Sequence, residues 1–179
     1  MKVSPTSILL QSGEYFDFAS PETSKFSIFD IAHGESNICR FGGQSKKFYS
    51  VAEHSWHCSH LVPPEDALEA LMHDASEGLG LGDMVKPLKN MNPDYEAIEN
   101  RIETVIAYKF GFRFPYPPSV KIVDKQMLKA EQRQVMFNKD GWPSLDDVEI
   151  AKVKINFWNP LEAEINFLDR FYELVERNT

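Results

Sequence analysis

An adjacent histidine and aspartate, His73-Asp74, close an apolar run of Ala67, Leu68, Ala70, Leu71 and Met72, with Ala75 just beyond. This spacing predicts a helix with a broad buried face. An imidazole and a carboxylate carried into a core each need a partner, because an unpaired buried polar or charged group is costly. A divalent metal satisfies both. A fold that accepts this sequence then has to bring further ligands to the end of that helix. His54, nineteen residues before His73, is one. Asp124 is another, set in Ile122-Val123-Asp124-Lys125-Gln126-Met127-Leu128 with core residues on both sides. Two imidazoles and two carboxylates suit Mn, Co, Zn or Fe and serve Mg or Ca poorly. The competing reading, in which His73 and Asp74 cap a helix end and bond to backbone, is weakened by His54 and Asp124.

The remaining pattern predicts a mainly α-helical single domain over residues 1–179 with a small N-terminal β-hairpin. Residues 6–18 alternate around Ser12-Gly13, which suggests the hairpin. Ser27 can cap a helix through Ile28, Phe29, Ile31 and Ala32 that ends before Arg40-Phe-Gly-Gly43. Ser50-Val-Ala-Glu53 is a capping-box pattern, so a helix starts near Val51 and carries His54. Pro63-Pro64 opens the apolar helix, which Gly78, Gly80 and Gly82 end. Asn92-Pro93 and Pro117-Pro118 open two more, the first with Ile98, Ile102, Val105 and Ile106 apolar and a stop at Gly111, the second with Ile122, Val123, Met127 and Leu128 apolar. Ser144 can cap a short helix containing Val148, Ile150 and Val153. Asn159-Pro160 opens the last, with Leu161, Ile165, Leu168, Phe171, Leu174 and Val175 facing in.

Other residues extend the metal hypothesis. Glu77 follows His73 by one helical turn and so projects from the same face, as an acid or base beside the metal. Asp83 follows the glycine stop and can reach the site or serve as a turn aspartate. Arg40 heads a glycine-flanked loop and offers a planar fork for phosphate, and Phe41 offers a ring face for a base or sugar. Lys86 and Lys89 add positive charge nearby. His57 and His60 follow His54 at steps of three, which drift around a helix, so at most one of the three binds metal. His33 reads as a packed or hydrogen-bonded histidine, and Trp56, Trp142 and Trp158 as core or loop anchors.

The net charge of −8 argues against a nucleic-acid polymer or an anionic membrane as partner. Cys39 and Cys58 form no Cys-x-x-Cys pattern, and no apolar run reaches a membrane span. A cytoplasmic protein is expected, in the host cytoplasm if phage-encoded.

The segment Ile31-Ala-His-Gly-Glu-Ser-Asn-Ile-Cys-Arg40-Phe-Gly-Gly43, then Phe48-Tyr-Ser-Val-Ala-Glu-His54-Ser, resembles the HD-domain phosphohydrolase superfamily. So do His73-Asp-Ala-Ser-Glu77, Gly82-Asp83, Pro87-Leu-Lys89, and Asp124 with Met127-Leu128 and Glu131. The branch it resembles holds bacterial 5'-deoxynucleotidases and phage dATP triphosphohydrolases. The likeness runs from about residue 28 to 135. It implies an HD-type helical bundle with His54, His73, Asp74 and Asp124 as metal ligands. It implies that Glu77 is the catalytic carboxylate and Asp83 a second acid near the leaving group. Arg40 and Lys89 would contact phosphate and Phe41 the nucleoside. Relatives dimerise, so a homo-oligomer is possible.

The resemblance implies a small deoxynucleotide substrate, with metal-activated water cleaving the ester between 5'-oxygen and phosphorus. The products are deoxyadenosine and triphosphate from dATP, or deoxyadenosine and phosphate from dAMP. The phage-like spelling of the motifs favours dATP over a monophosphate. One rival is a nucleotide-binding module that keeps the pocket without the chemistry. Another is a structural helical protein whose His and Asp are internal caps.

Overall fold

The alternating residues near the N-terminus pair as strands β1 (Ser7–Leu9) and β2 (Tyr15–Asp17), antiparallel, with Ile8 opposite Phe16. The computed structural model describes residues 3–177. Phe16 is fully buried and meets Phe18 and Phe26 edge-to-face, which fastens the hairpin to the helices. The Asp30 carboxylate accepts from the Ser27 N–H (2.8 Å) and from the Ser12 N–H (3.0 Å). One side chain thus caps α1 (Ile28–Asn37) and ties it to the hairpin turn.

The rest of the described chain is mainly helical: α2 (Val51–Leu61), α3 (Ala67–Leu71), α4 (Lys86–Lys89), α5 (Pro93–Phe110), α6 (Pro118–Gln134) and α7 (Pro160–Arg177). Helix α2 is the central element and packs against α1, α3, α6 and α7. Its N-terminus follows the expected cap, since Ser50 Oγ accepts from the Glu53 N–H at 3.1 Å. The reciprocal half of a capping box is replaced. The Glu53 carboxylate accepts from the backbone N–H groups of Asn156 (2.6 Å), Phe157 (3.1 Å) and Trp158 (2.8 Å). Asn92 caps α5 through the Tyr95 N–H, and Gly111 ends it in the left-handed conformation with φ 74°.

Three expectations are corrected. The apolar helix from Pro63 does not run to Gly78. It stops at Leu71, the chain turns through Met72–Asp74, and a wide π-type turn follows at Glu77–Leu81. The reason lies in the packing of that turn against α1. A Cβ on Gly34 would sit 1.9 Å from the Gly78 carbonyl oxygen, and one on Gly78 would sit 2.6 Å from the Ile31 oxygen. Two glycines allow the backbones to touch, and that approach redirects the chain away from a regular helix.

The helix expected after Ser144 does not form beyond a 3-10 turn at Pro143–Leu145. Burial in the following segment alternates, with Ala151 and Ile155 in and Lys152 and Lys154 out. That is the period of an extended chain. It has no partner strand among the described residues. Its backbone is satisfied by Gln126 O, by both ends of the Gln134 amide, and by Glu53. On α7 the buried positions are Ala163, Phe167, Arg170, Phe171 and Leu174. Leu161 and Ile165 are exposed, because they lie on the side of α7 opposite that buried stripe. Ile98 on α5 and Ile122 on α6 are exposed as well. No helix among the described residues is long and apolar enough to cross a membrane.

Candidate metal centre

His54 sits at the fourth residue of α2, the helix surrounded by the others, and is fully buried. His73 and Asp74 lie on the tight turn after α3, held by the Met72 N–H to Leu68 O and the Ala75 N–H to Met72 O. Asp124 sits in the second turn of α6 and is half-buried. These elements bring an atom of Asp74 and one of Asp124 close to the two imidazoles. His54 Nε2 is 3.3 Å from His73 Nε2, 3.3 Å from Asp124 Oδ1 and 3.8 Å from Asp74 Oδ2. His73 Nε2 is 3.5 Å from Asp74 Oδ2 and 4.0 Å from Asp124 Oδ1. Ligand atoms about 2.1 Å from a transition metal stand roughly 3.0–3.4 Å from one another, so these separations need only a small contraction.

The outward nitrogens of both rings are committed. His73 Nδ1 is 2.8 Å from the Ala70 carbonyl oxygen, which can only accept, so Nδ1 is the donor and Nε2 is the nitrogen turned to the cluster. His54 Nδ1 is 2.6 Å from Glu131 Oε1. Burial and the Arg40 charge push His54 down, but Cys58, Glu131 and Asp124 lift it well above the ordinary histidine range. Asp124 is held well below the usual carboxylate range: burial opposes this, and the His54 bond and the His54 and His73 charges outweigh it. The cluster therefore favours positive charge. A metal ion and a proton would compete for the same lone pair. The donor set fits a divalent transition metal.

Cys58 lies one turn after His54 on α2, fully buried, with Sγ 3.5 Å from His54 Nε2. His54, Cys58 and His73 form a group that can hold a metal ion. The i to i+4 spacing of His54 and Cys58 is visible in the sequence, although no role was expected for Cys58.

The remaining predicted residues divide. Glu77 is buried with Oε2 unpartnered. Burial, then Asp74 and Asp83, raise its carboxyl well above the ordinary range. It reaches this neighbourhood through the turn, and the expected one-turn helical relation to His73 does not exist. Asp83 Oδ2 accepts from the Phe41 N–H at 2.6 Å, so it fastens the arginine loop to the segment after Glu77. Phe41 has φ 61°, is half-buried, and its ring lies 6.2 Å from that of Trp142.

The two predicted phosphate contacts are turned inward. Arg40 is buried, with Nη1 3.3 Å from Asp74 Oδ2 and Nη2 3.2 Å from Glu131 Oε2. Lys89 Nζ pairs with Glu99 and lies over the Tyr95 ring. His57 faces Glu53 at 3.5 Å and His60 bonds Trp56 O, so neither joins the cluster. His33 bonds Glu164 at 3.2 Å.

A cavity of ≈ 720 Å³ opens beside the cluster, lined by His73, Asp124, Glu103, Tyr116, Lys121 and other residues. Glu103 was not anticipated. Burial, then Glu99 and Asp74, push it up to about 8. Glu35 on α1 is fully buried with neither carboxyl oxygen partnered, and burial holds it well above the ordinary range.

No family model matches the chain. It is 40% identical over 168 residues to "Uncharacterized protein YfdR" of Escherichia coli (strain K12), across 92% of this chain and 93% of that protein. It is 33% identical over 183 residues to an uncharacterized protein of Rhodobacter capsulatus, across 92% of this chain and 93% of the relative. The chain belongs to the family of YfdR. Neither relative's name states an activity.

Proposed function

We propose that this protein is an HD-type, metal-dependent phosphohydrolase that cleaves deoxynucleotides between the 5'-oxygen and phosphorus. The observation that carries the reading is the convergence of His54 Nε2, His73 Nε2, Asp74 Oδ2 and Asp124 Oδ1, with the Nδ1 of each ring bonded elsewhere, beside a cavity large enough for a nucleotide. These four residues would hold the metal, with Cys58 at its edge. Mn, Co, Zn or Fe bound there would supply the positive charge that acidifies water and polarises a phosphoryl oxygen.

The chain's own groups do the rest. Glu77, whose carboxyl burial and then Asp74 and Asp83 raise well above the ordinary range, is the group that would give a proton to the departing 5'-oxygen. The water oxygen would bond to phosphorus as the P–O5' bond breaks, the Glu77 proton would complete the deoxynucleoside hydroxyl, and the proton shed by the water would return through solvent to the Glu77 carboxylate. Asp83 holds the loop that carries Arg40 and Phe41 in place. Arg40 keeps positive charge beside Asp74.

The motif spelling favours dATP, giving deoxyadenosine and triphosphate. One observation favours the second reading, a 5'-deoxynucleotidase acting on monophosphates. Arg40 and Lys89, the cations a triphosphate would draw on, are already paired with Asp74, Glu131 and Glu99, and the cavity offers Lys121 beside two carboxylates. Incubation with Mn, Co or Zn and each of dATP, dGTP, dAMP and dGMP, with products resolved by chromatography and phosphorus NMR, separates the readings. Intact triphosphate supports the first and orthophosphate from monophosphates alone supports the second. Tight nucleotide binding without turnover under every metal would overturn both.

A further inference from the structure

Glu131 lies seven residues after Asp124 on α6, two turns along the same face, and its side chain is wholly buried. Three donors from three different segments converge on it. Oε1 accepts from the Tyr49 hydroxyl at 2.7 Å and lies 2.6 Å from His54 Nδ1. Oε2 accepts from Arg40 Nη2 at 3.2 Å. Arginine can only donate, and among the described residues the Tyr49 hydroxyl has no other hydrogen-bond partner. Both carboxylate oxygens are therefore occupied as acceptors, and the remaining group, His54 Nδ1, has to be a donor. A neutral ring protonated on Nδ1 is bare on Nε2, the atom that faces His73, Asp74 and Asp124.

We infer that Glu131 is the positioning residue of this centre: it fixes the His54 tautomer and, through the same carboxylate, sets the depth of Arg40 against Asp74. The inference rests on the metal-centre reading of the preceding subsection and deepens it. A His ligand whose far nitrogen donates to a carboxylate is held in orientation and made more basic, and losing such a partner costs metal affinity. Glu131 adds a second linkage. Arg40 bridges it to Asp74, so one carboxylate steers two of the four ligand residues, one directly and one through the guanidinium. Tyr49 is packed with Val135 and Ile155 in a small cluster of its own, and its hydroxyl anchors Oε1, the carboxylate oxygen that Arg40 does not bond.

The test separates this role from general support of the core. In metal-free protein, at a pH where the rings are neutral, ¹⁵N NMR of His54 reports which nitrogen carries the proton. The wild type is expected to show protonated Nδ1 and bare Nε2. Glu131→Ala removes the acceptor, so Nε2-protonated ring should appear, and affinity for Co(II) or Zn(II) should fall about 10- to 100-fold. Glu131→Gln is the second variant, nearly isosteric and suited to a core that will not tolerate alanine. Its carbonyl can still accept from His54, so the tautomer should persist, while its NH₂ confronts Arg40 and metal affinity should drop less than in Glu131→Ala. Tyr49→Phe should leave the His54 tautomer unchanged. A wild-type His54 protonated on Nε2 would overturn the inference, as would Glu131 variants with unaltered tautomer and unaltered metal affinity. A tautomer that responds as expected in a protein that binds no metal would keep the positioning role and sink the phosphohydrolase reading instead.

Discussion

His54 Nε2 and His73 Nε2 face each other at 3.3 Å, and the Nδ1 of each ring is spent on an acceptor, Glu131 in one case and the Ala70 carbonyl in the other. In neutral rings two Nε2 lone pairs this close repel, and two carboxylates beside them do not relieve the repulsion. A cation between them does. This relationship is what distinguishes the cluster from a set of buried histidines satisfied by backbone.

Cys58 should report on that cation. Burial keeps its thiol above the ordinary range, so the free side chain stays protonated until a metal displaces the proton. Titration of metal-free protein with Co(II) should produce a thiolate-to-cobalt charge-transfer band in the near ultraviolet. Cys58→Ser should lose that band and keep the visible ligand-field bands of cobalt on the His and Asp donors. Identical spectra for the two proteins would remove Cys58 from the ligand set.

Gly34 and Gly78 should tolerate no side chain. The Cβ of Gly34→Ala would stand 1.9 Å from a backbone oxygen, which no rotamer change can relieve. The helix α1 and the turn carrying Glu77 would have to separate, at a cost of about 1–3 kcal/mol or more. Urea denaturation should show a lower midpoint, and turnover should fall with it because Glu77 moves. An unchanged midpoint would mean that the contact between α1 and the turn is not as close as described.

The fold was legible in sequence wherever a local signal decides it. The serine before α2, the asparagine before α5, the paired prolines before α6 and the glycine after α5 act on their own neighbours, and the helices begin or end beside them. The His73-Asp74 pair and Asp124 stood out in sequence as polar groups on apolar helical runs, and the structure brings them and His54 together. The break at Met72–Asp74 was not, since it depends on α1 pressing Gly34 against Gly78 across a gap of forty-four residues. The extended segment after Leu145 was misread because Val148, Ile150 and Val153 can be fitted to a helical face, while the hydrogen bonds that hold the chain extended come from Gln134 and Glu53 far away. Arg40 and Lys89 read as free cations because their partners, Glu131 and Glu99, lie on other helices.

Glu53 makes a further prediction of its own. Its carboxylate holds three consecutive N–H groups of the extended segment before α7. Glu53→Gln keeps one acceptor oxygen and should cost about 1–3 kcal/mol, through donors left unsatisfied. Amide hydrogen exchange at Asn156, Phe157 and Trp158 should accelerate while the amides of α5 stay protected. Unchanged exchange at those three positions would show that the segment is held by packing alone.

Glu103 gives stability a pH dependence with a definite sign. Its folded value, about 8, lies above the ordinary 4.5 because of burial first and then Glu99 and Asp74. The native state holds this proton more tightly than the unfolded chain. Its contribution is intact below the unfolded value of about 4.5 and is lost as pH rises towards 8, at up to roughly 1.4 kcal/mol per pH unit. Glu103→Gln removes the titration. Metal-free Glu103→Gln should therefore be more stable than wild type at alkaline pH, and the gap should close in mild acid. Parallel stability curves for the two proteins would contradict this.

The most direct measurement compares wild type with Asp74→Asn for bound metal and for hydrolysis of dATP and dAMP under Mn, Co and Zn. The substitution replaces an anionic oxygen that faces both histidines. Wild type should bind one transition metal ion per chain and release deoxyadenosine, and Asp74→Asn should lose most of the metal and all detectable turnover. Equal metal content and equal turnover in the two proteins would contradict the metal centre and the hydrolase built on it.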